Sequence, residues 1–480
     1  MKKILSGLRG KTLFFSLILI AAVTQTSCDR VKKPPHHGDK PNITKNWINW
    51  NFVFSPKADS GRRQEARQEI IRQLQTVSSD SPVTVRDSFA SPIRYYLYNY
   101  LRQQLGDSSF ALTTIQIHYC SCQDTLLWNL TATLDLDGSG QSAPSSPPPG
   151  KGIVPQGGLI DVVSNNDTVT RPSGLRSDIL HKKEIGYPKN VKYIEDVVLG
   201  VIDSGIDSTL FSPGVYQKLF APDGSGKRGF IPDAPSSYYM DDEDVRHGSA
   251  VAAIALQAFY DQSNHKALPR LMVLKALDHT GAGSVFSVSC AMGYAVRHHV
   301  NLINASLGYW GEDNAILDHY LKMSTMDSIP VIAAAGNDPR PHSFPLCVDT
   351  IDLFNELKAG HLFYPGVLSA KKEYDIISVT GMEDPSRACR YQNFSNSFVS
   401  IGVIHKTQKE QCCGYWLPYL PADRVLDGSS FATPVISGQL AFKMMGRPRQ
   451  VDAVSYLGQL MMNTSAVSQP PTRDGKYIVY

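Results

Sequence analysis

With 480 residues the chain is long enough for two or three domains. Hydrophobic residues make up 42% and charged residues 19%, a balance that excludes a disordered or fibrous chain. The net charge of +3 offers no basic field to a polyanion, so no nucleic-acid partner is expected, and the thirteen histidines are scattered without a metal-ligating cluster.

Lys2, Lys3, Arg9 and Lys11 precede an apolar run from Leu13 to Val23. A charged segment followed by an apolar one too short to span a bilayer predicts an export signal that takes no part in the fold. No later run approaches ~18 apolar residues, so no transmembrane helix is expected. The segment ends Gln25-Thr26-Ser27-Cys28, which resembles the lipobox of bacterial lipoproteins, although Gln25 stands where that family has leucine or another apolar residue. The resemblance implies lipidation of Cys28 and an exported protein held at a membrane in the periplasm or at the cell surface. Ordinary signal-peptide cleavage nearby is the alternative. Export would place the remaining cysteines (Cys120, Cys122, Cys290, Cys347, Cys389, Cys412 and Cys413) where disulfides persist, and their odd number leaves at least one unpaired. Cys389 with Cys412 or Cys413 is a candidate bridge, the connectivity staying open. Cys120-Ser121-Cys122 lacks the spacer of a zinc knuckle.

Residues 29–45 are polar and proline-bearing, as a tether is. Residues 46–137 read as a small α+β domain. Ala66, Ile70, Ile71 and Leu74 have helical spacing within 63–75, a second helix is expected over 93–105, and strands are expected at Thr114–Tyr119 and Leu126–Leu136. Asp135-Leu136-Asp137-Gly138 has the flavour of a calcium loop without its distal glutamate, which favours a plain turn. Residues 138–152 form a Gly/Ser/Pro linker.

From residue 153 to 480 short apolar runs alternate with helical patterns. Val197–Ile202, Leu271–Leu277, Leu302–Leu307, Val331–Ala335 and Ile376–Thr380 read as strands buried on both faces. Gly248–Tyr260, Val285–His298, Ala315–Met326 and Ala432–Met445 read as helices. The alternation predicts an α/β fold with a mostly parallel sheet between helical layers and an active site at the carboxyl ends of the strands.

Three motifs fall at such ends. Val197–Ile202 runs into Asp203-Ser204-Gly205-Ile206, a strand ending in a carboxylate and a glycine turn. Arg246-His247-Gly248-Ser249 opens a helix of small residues, the glycine allowing close backbone approach. Asp427-Gly428-Ser429-Ser430-Phe431-Ala432-Thr433-Pro434 leads into a helix, where Ser429 could cap and leave Ser430 free. Taken singly, these are a turn carboxylate, a surface histidine and a capping serine. Together, Asp, His and Ser in this order with these flanks resemble the subtilisin-like (S8) serine peptidases over about residues 190–450. Ser249 replaces the threonine that family has after its histidine motif, and Ser429 and Phe431 replace its threonine and methionine around the nucleophile.

The resemblance implies a three-layer fold and a serine endopeptidase acting on protein or peptide substrates. In it Ser430 is the nucleophile, His247 the general base and Asp203 its orienting partner. Val331-Ile332-Ala333-Ala334-Ala335-Gly336-Asn337 resembles the strand leading to the family's oxyanion-hole asparagine, so Asn337 and the Ser430 N–H are the expected donors. Val300 to Gly308 resembles the family's substrate strand. Ser306, Leu307 and Gly308 would pair with an extended substrate, and Ala334, Ala335 and Gly336 would face them across the specificity pocket. Tyr309 and Trp310, bulky for this place, are expected to narrow the subsites.

No cofactor is needed for such chemistry. A structural calcium is possible with no site assignable, the acidic run Asp241-Asp242-Glu243-Asp244 reading as a loop that feeds His247. Residues 46–137 are either a removed propeptide or a retained accessory domain, retention being slightly favoured. The competing functions are an inactive fold used as a binding module, and an α/β esterase; the latter wants a G-x-S-x-G elbow and the order Ser, acid, His, which this chain lacks.

Overall fold

A computed structural model describes residues 47–54, 83–84, 110–122, 125–136, 162–165, 167–170 and, with breaks of which the longest are 338–355 and 447–461, residues 184–480. The expected export signal, Cys28, the tether and the helices expected over 63–75 and 93–105 lie outside the described residues.

The first five strands form one sheet: β1 (Trp47–Phe54), β2 (Val83–Thr84), β3 (Phe110–Cys122), β4 (Thr125–Leu136) and β5 (Val162–Asn165), in the order β2-β3-β4-β1-β5. The pairings among these strands are antiparallel, and β3 and β4 close as a hairpin from Cys122 opposite Thr125 to Phe110 opposite Leu136. Two of these strands extend the runs expected at 114–119 and 126–136. The last strand lies beyond the 138–152 linker, so residues expected in the peptidase domain complete the N-terminal sheet. Inside the sheet Asn129 Nδ2 donates to Asn49 Oδ1 at 2.7 Å and to Asn51 Oδ1 at 3.1 Å, satisfying amides that burial would otherwise penalise.

The larger sheet is built from β7 (Lys192–Asp203), β8 (Lys227–Gly229), β9 (Ala267–Lys275), β11 (Leu302–Ala305), β13 (Val331–Ala334), β15 (Ile376–Asp384), β16 (Arg387–Ala388), β17 (Ile401–Ile404), β18 (Met462–Asn463) and β19 (Lys476–Val479). Two short pairs lie apart from it: β6 (Thr168–Thr170) with β10 (Ala282–Ser284), and β12 (Tyr309–Trp310) with β14 (Phe363–Tyr364). The order of the large sheet is β18-β19-β17-β15-β13-β11-β7-β9-β8, with β16 on β15; only β16 and β18 run antiparallel.

Four helices flank it: α1 (His247–Gln262), α2 (Val285–Arg297), α3 (Ala315–Met326) and α4 (Ser429–Met444). Alternate residues of each strand enter opposite cores, as period-two geometry requires. Leu199, Val201, Leu302, Ile332, Ile377 and Val379 pack with α1 and α4, while Ile202, Ile303, Val331, Ala333 and Ile376 pack with α2 and α3. Burial on both faces is why these runs read as continuously apolar. Cys120 and Leu127 of the N-terminal sheet share the second core with Val285 and Phe286 of α2. Cys120 and Cys389 each take part in a disulfide, and Cys290 of α2 is a buried thiol. No helix among the described residues is long and apolar enough to cross a membrane.

Candidate active site

Asp203 is the last residue of β7, at a carboxyl end in the middle of the parallel array, and His247 is the first of α1. His247 Nδ1 lies 2.7 Å from Asp203 Oδ1, and both side chains are fully buried. Asp203 Oδ1 also accepts from the Ser204 N–H at 2.7 Å. His247 Nε2 and Asp203 Oδ2 are buried without a hydrogen-bond partner. The imidazole is thus held at one nitrogen and uncommitted at the other.

A chain of polar contacts fixes this pair. The buried Asp241 carboxylate accepts from Ser204 Oγ (2.9 Å), Ser249 N (2.8 Å) and Ser249 Oγ (2.7 Å), and Ser204 Oγ in turn accepts from Gly248 N (2.8 Å). Burial pushes the Asp241 carboxyl up, against the lowering effect of the Ser249 and Ser204 hydrogen bonds. Glu243 Oε2 accepts the His247 N–H at 3.1 Å, an anion at the start of a helix where the backbone dipole favours it. Lys275, buried, donates to the Ser204 carbonyl (2.6 Å) and to Asp242 (2.9 Å), which also takes the Tyr238 hydroxyl. Three of the four acids expected as a loop, Asp241, Asp242 and Glu243, are therefore committed to internal donors. Gly248 permits this approach, since a Cβ there would stand 2.8 Å from the Gly205 nitrogen and 3.1 Å from Ser204 Oγ.

Ser430 is the second residue of α4 and is buried. Its predicted neighbour roles change in one respect. Ser429 does not cap the helix: Gly428 is the N-cap, and Ser429 Oγ instead accepts from Gly336 N and donates to Gly336 O, both at 3.0 Å. The hydroxyl at this point joins α4 to Gly336 beyond the end of β13, a contact that local sequence cannot reveal.

Pro434 has no N–H to give the Ser430 carbonyl four residues back. That carbonyl accepts Ser306 Oγ at 2.7 Å instead. Ser306 Oγ is bonded by Asn304 Nδ2 (3.0 Å), and Asn304 Oδ1 accepts Ser437 Oγ (2.8 Å), so a buried polar thread runs from the end of β11 to α4.

Asn337 lies three residues past the end of β13. Its Oδ1 accepts the Ser429 N–H at 3.0 Å, which sets which way the amide faces. A Cβ placed on Gly428 would lie 2.9 Å from Asn337 Nδ2 and 3.5 Å from Ser430 Oγ, so the amide donor and the serine hydroxyl both face the Gly428 backbone and a side chain there would collide with the amide. Gly428 has φ +139°, a conformation that also requires glycine. Sequence reasoning missed the segment behind this wall. Asn393 holds the Ala335 carbonyl through its side chain (2.8 Å) and the Gly336 carbonyl through its N–H (2.9 Å), and Gln392 links Gly381 N (2.6 Å) to Asp427 (2.9 Å). No motif marks Gln392 or Asn393; only packing brings them here.

No hydrogen bond joins Ser430 to His247 Nε2; the phenyl ring of Phe431 lies beside the imidazole with centroids 5.0 Å apart. The structure gathers Asp203, His247, Asn337 and Ser430 at one end of the sheet, with Ser306–Gly308 and Ala334–Gly336 on the strands beside them. It also fills part of the cleft with the chain itself. Thr170 and Gly308 exchange both backbone hydrogen bonds at 2.9 Å, and β6 pairs with β10 on its other edge.

Residues 195–477 match the Subtilase family. An intracellular serine protease of Paenibacillus polymyxa is 23% identical over 290 residues, 59% of this chain and 78% of that protein. The minor extracellular protease Epr of Bacillus subtilis (strain 168) is 27% identical over 161 residues, 33% of this chain and 23% of that protein. A cold-adapted subtilisin-like serine proteinase of known crystal structure superposes with a TM-score of 0.41 at 17% identity, covering 63% of this chain and 96% of that one. With a parallel sheet carrying Asp203, Asn337 and the Ser306–Gly308 strand at its carboxyl ends and the family match spanning most of the large sheet, the chain belongs to the subtilase family of serine peptidases.

Proposed function

We propose that this chain is a serine endopeptidase that hydrolyses peptide bonds through an acyl-enzyme on Ser430. The observation that carries the reading is the buried 2.7 Å bond between His247 Nδ1 and Asp203, which leaves Nε2 as the uncommitted base. Hydrogen-bonding Nδ1 to a carboxylate selects the tautomer in which Nε2 accepts a proton, and stabilises the imidazolium once it has done so. Ser430 Oγ is a weak nucleophile until that proton leaves. The Ser–His contact closes when substrate excludes water, as catalytic hydrogen bonds often tighten only in the complex. The oxyanion forms in the space between Asn337 Nδ2 and Ser430, where the Ser430 N–H at the start of α4 is the second donor. His247 then passes its proton to the leaving amine, and water repeats the sequence on the ester.

The alternative of an inactive binding module gains no support, because each side chain the chemistry needs is present and buried at the sheet end. The reaction needs no cofactor. Purified protein should be labelled by a fluorophosphonate probe and should cleave casein, and Ser430→Ala should remove both; labelling that persists at another serine overturns the assignment.

We further propose that the N-terminal sheet is a leader whose continuation, β6, blocks the cleft until it is displaced. The pairing of Thr170 with Gly308 supports this over permanent retention, since an extended substrate would need the same backbone groups. Export and lipidation at Cys28 remain proposals of the sequence, tested by the mass of the membrane-extracted chain with and without Cys28→Ala.

A further inference from the structure

Gly308 and Gly336 stand on the two backbone walls expected to enclose the side chain on the acyl side of the scissile bond. Both would-be Cβ positions run into one ring. A Cβ on Gly308 would lie 2.7 Å from Phe363 Cζ, and one on Gly336 would lie 2.6 Å from Phe363 Cγ. A single phenyl ring therefore spans the space between the walls, and Phe363 is only 2% exposed. The ring is held in place. Phe363 is paired in β14 with Trp310 of β12, whose indole packs edge-on against it with centroids 5.4 Å apart. His361 stacks on the other side of that indole at 4.1 Å. Behind Phe363, Gly366 comes close enough to β13 that a Cβ on it would meet the Ala334 carbonyl at 2.6 Å, so the segment cannot retreat from the wall.

The chain's own β6 gives the register of an occupant. An extended segment paired as Thr170 is with Gly308 arrives, two residues later along an antiparallel strand, opposite Ser306, whose hydroxyl is bonded to the Ser430 carbonyl. On the peptidase reading the residue at that point precedes the bond being cut, and its side chain would face the gap that Phe363 fills.

Resting on the peptidase reading, we infer that Phe363 is a specificity-determining residue that closes this pocket and restricts the residue before the scissile bond to glycine, alanine or serine. Trp310 contributes by fixing the ring and not by touching substrate, which refines its expected role in narrowing the subsites.

The test is a set of otherwise identical peptides with Gly, Ala, Ser, Leu or Phe before the scissile bond, cleaved by the full-length protein and, because β6 is proposed to hold the cleft closed, in parallel by its Thr170→Pro variant. The wild type should favour Ala over Phe by about 100-fold in kcat/KM, the scale on which a filled pocket rejects a side chain it cannot admit. Phe363→Gly should reverse the preference, raising the rates for Leu and Phe relative to that for Ala. A merely structural role would lower all five rates together. Fluorophosphonate labelling of Ser430 in Phe363→Gly reports that the variant is folded, and wild-type profiling needs no variant at all. Equal cleavage of Ala and Phe peptides by the wild type would overturn the inference and leave the peptidase reading standing. No cleavage of any peptide together with no labelling would overturn both.

Discussion

Asp203, Asn337 and Asp427 show three kinds of single-residue control around one serine. Asp203 acts through the tautomer of His247, so Asp203→Asn should keep the fold and lower kcat by about 10⁴-fold, with KM little changed. Asn337→Ala should lower kcat by about 10²–10³-fold, because the donor is felt only as the oxyanion develops. Initial-rate kinetics on one peptide checks both. Asp427 works through stability. Its carboxyl, three residues before Ser430, is pushed up to about 7 by burial, in spite of hydrogen bonds from Tyr391 and Gln392 and with Glu383 adding repulsion. The folded chain therefore keeps a proton that an unfolded chain releases near its ordinary value of 3.8. This carboxyl favours folding below that value, and its contribution, on the order of 4 kcal/mol, is lost as pH rises through about 7. Asp427→Asn should flatten the decline of the thermal midpoint between pH 4 and pH 8; an unchanged slope would show that Asp427 is not the group responsible. Of these residues, the sequence marked Asp203 and Asn337 through their motifs. Asp427 sits inside a motif but its burial against Gln392 has no local signature.

At the scale of elements, the start of α4 is where sequence and tertiary structure divide the work. Pro434 and the small residues before it are legible, and they free the Ser430 carbonyl. What that carbonyl does is decided by β11, which supplies Ser306 from 124 positions away. Pro434→Ala would restore an N–H within the helix to compete for the carbonyl. The thermal midpoint should hold or rise, since proline inside a helix costs about 3 kcal/mol, while fluorophosphonate labelling slows. Equal labelling would show that Ser306 does not position the serine. The expected Ser429 cap failed for a related reason. A serine hydroxyl at a helix start has two choices, its own helix or a neighbour, and Gly336 provided both a donor and an acceptor at 3.0 Å.

Across the whole molecule, β6 follows the last strand of the N-terminal sheet by two residues and bonds through Thr170 to Gly308, beyond the end of β11. Thr170→Pro removes the N–H that Gly308 accepts. Peptide hydrolysis by the full-length chain should rise several-fold over the wild type in its first minutes, before any processing, with the covalent probe reporting equal numbers of competent sites. An unchanged rate would mean that β6 does not hold the cleft closed.

The sequence by itself determined the parallel sheet, because strands buried on both faces must be continuously apolar, and it offered the candidate triad only through the resemblance of three motifs taken together, since singly they read as a turn carboxylate, a surface histidine and a helix cap. Only the tertiary structure decided that β5 completes a sheet begun 115 residues earlier at Trp50, opposite Asn165, that Asp241 and Asn393 brace the site, and that Phe363 stands between Gly308 and Gly336. These are contacts between segments far apart in the chain, made by residue types common everywhere, and their meaning comes from what lies across from them.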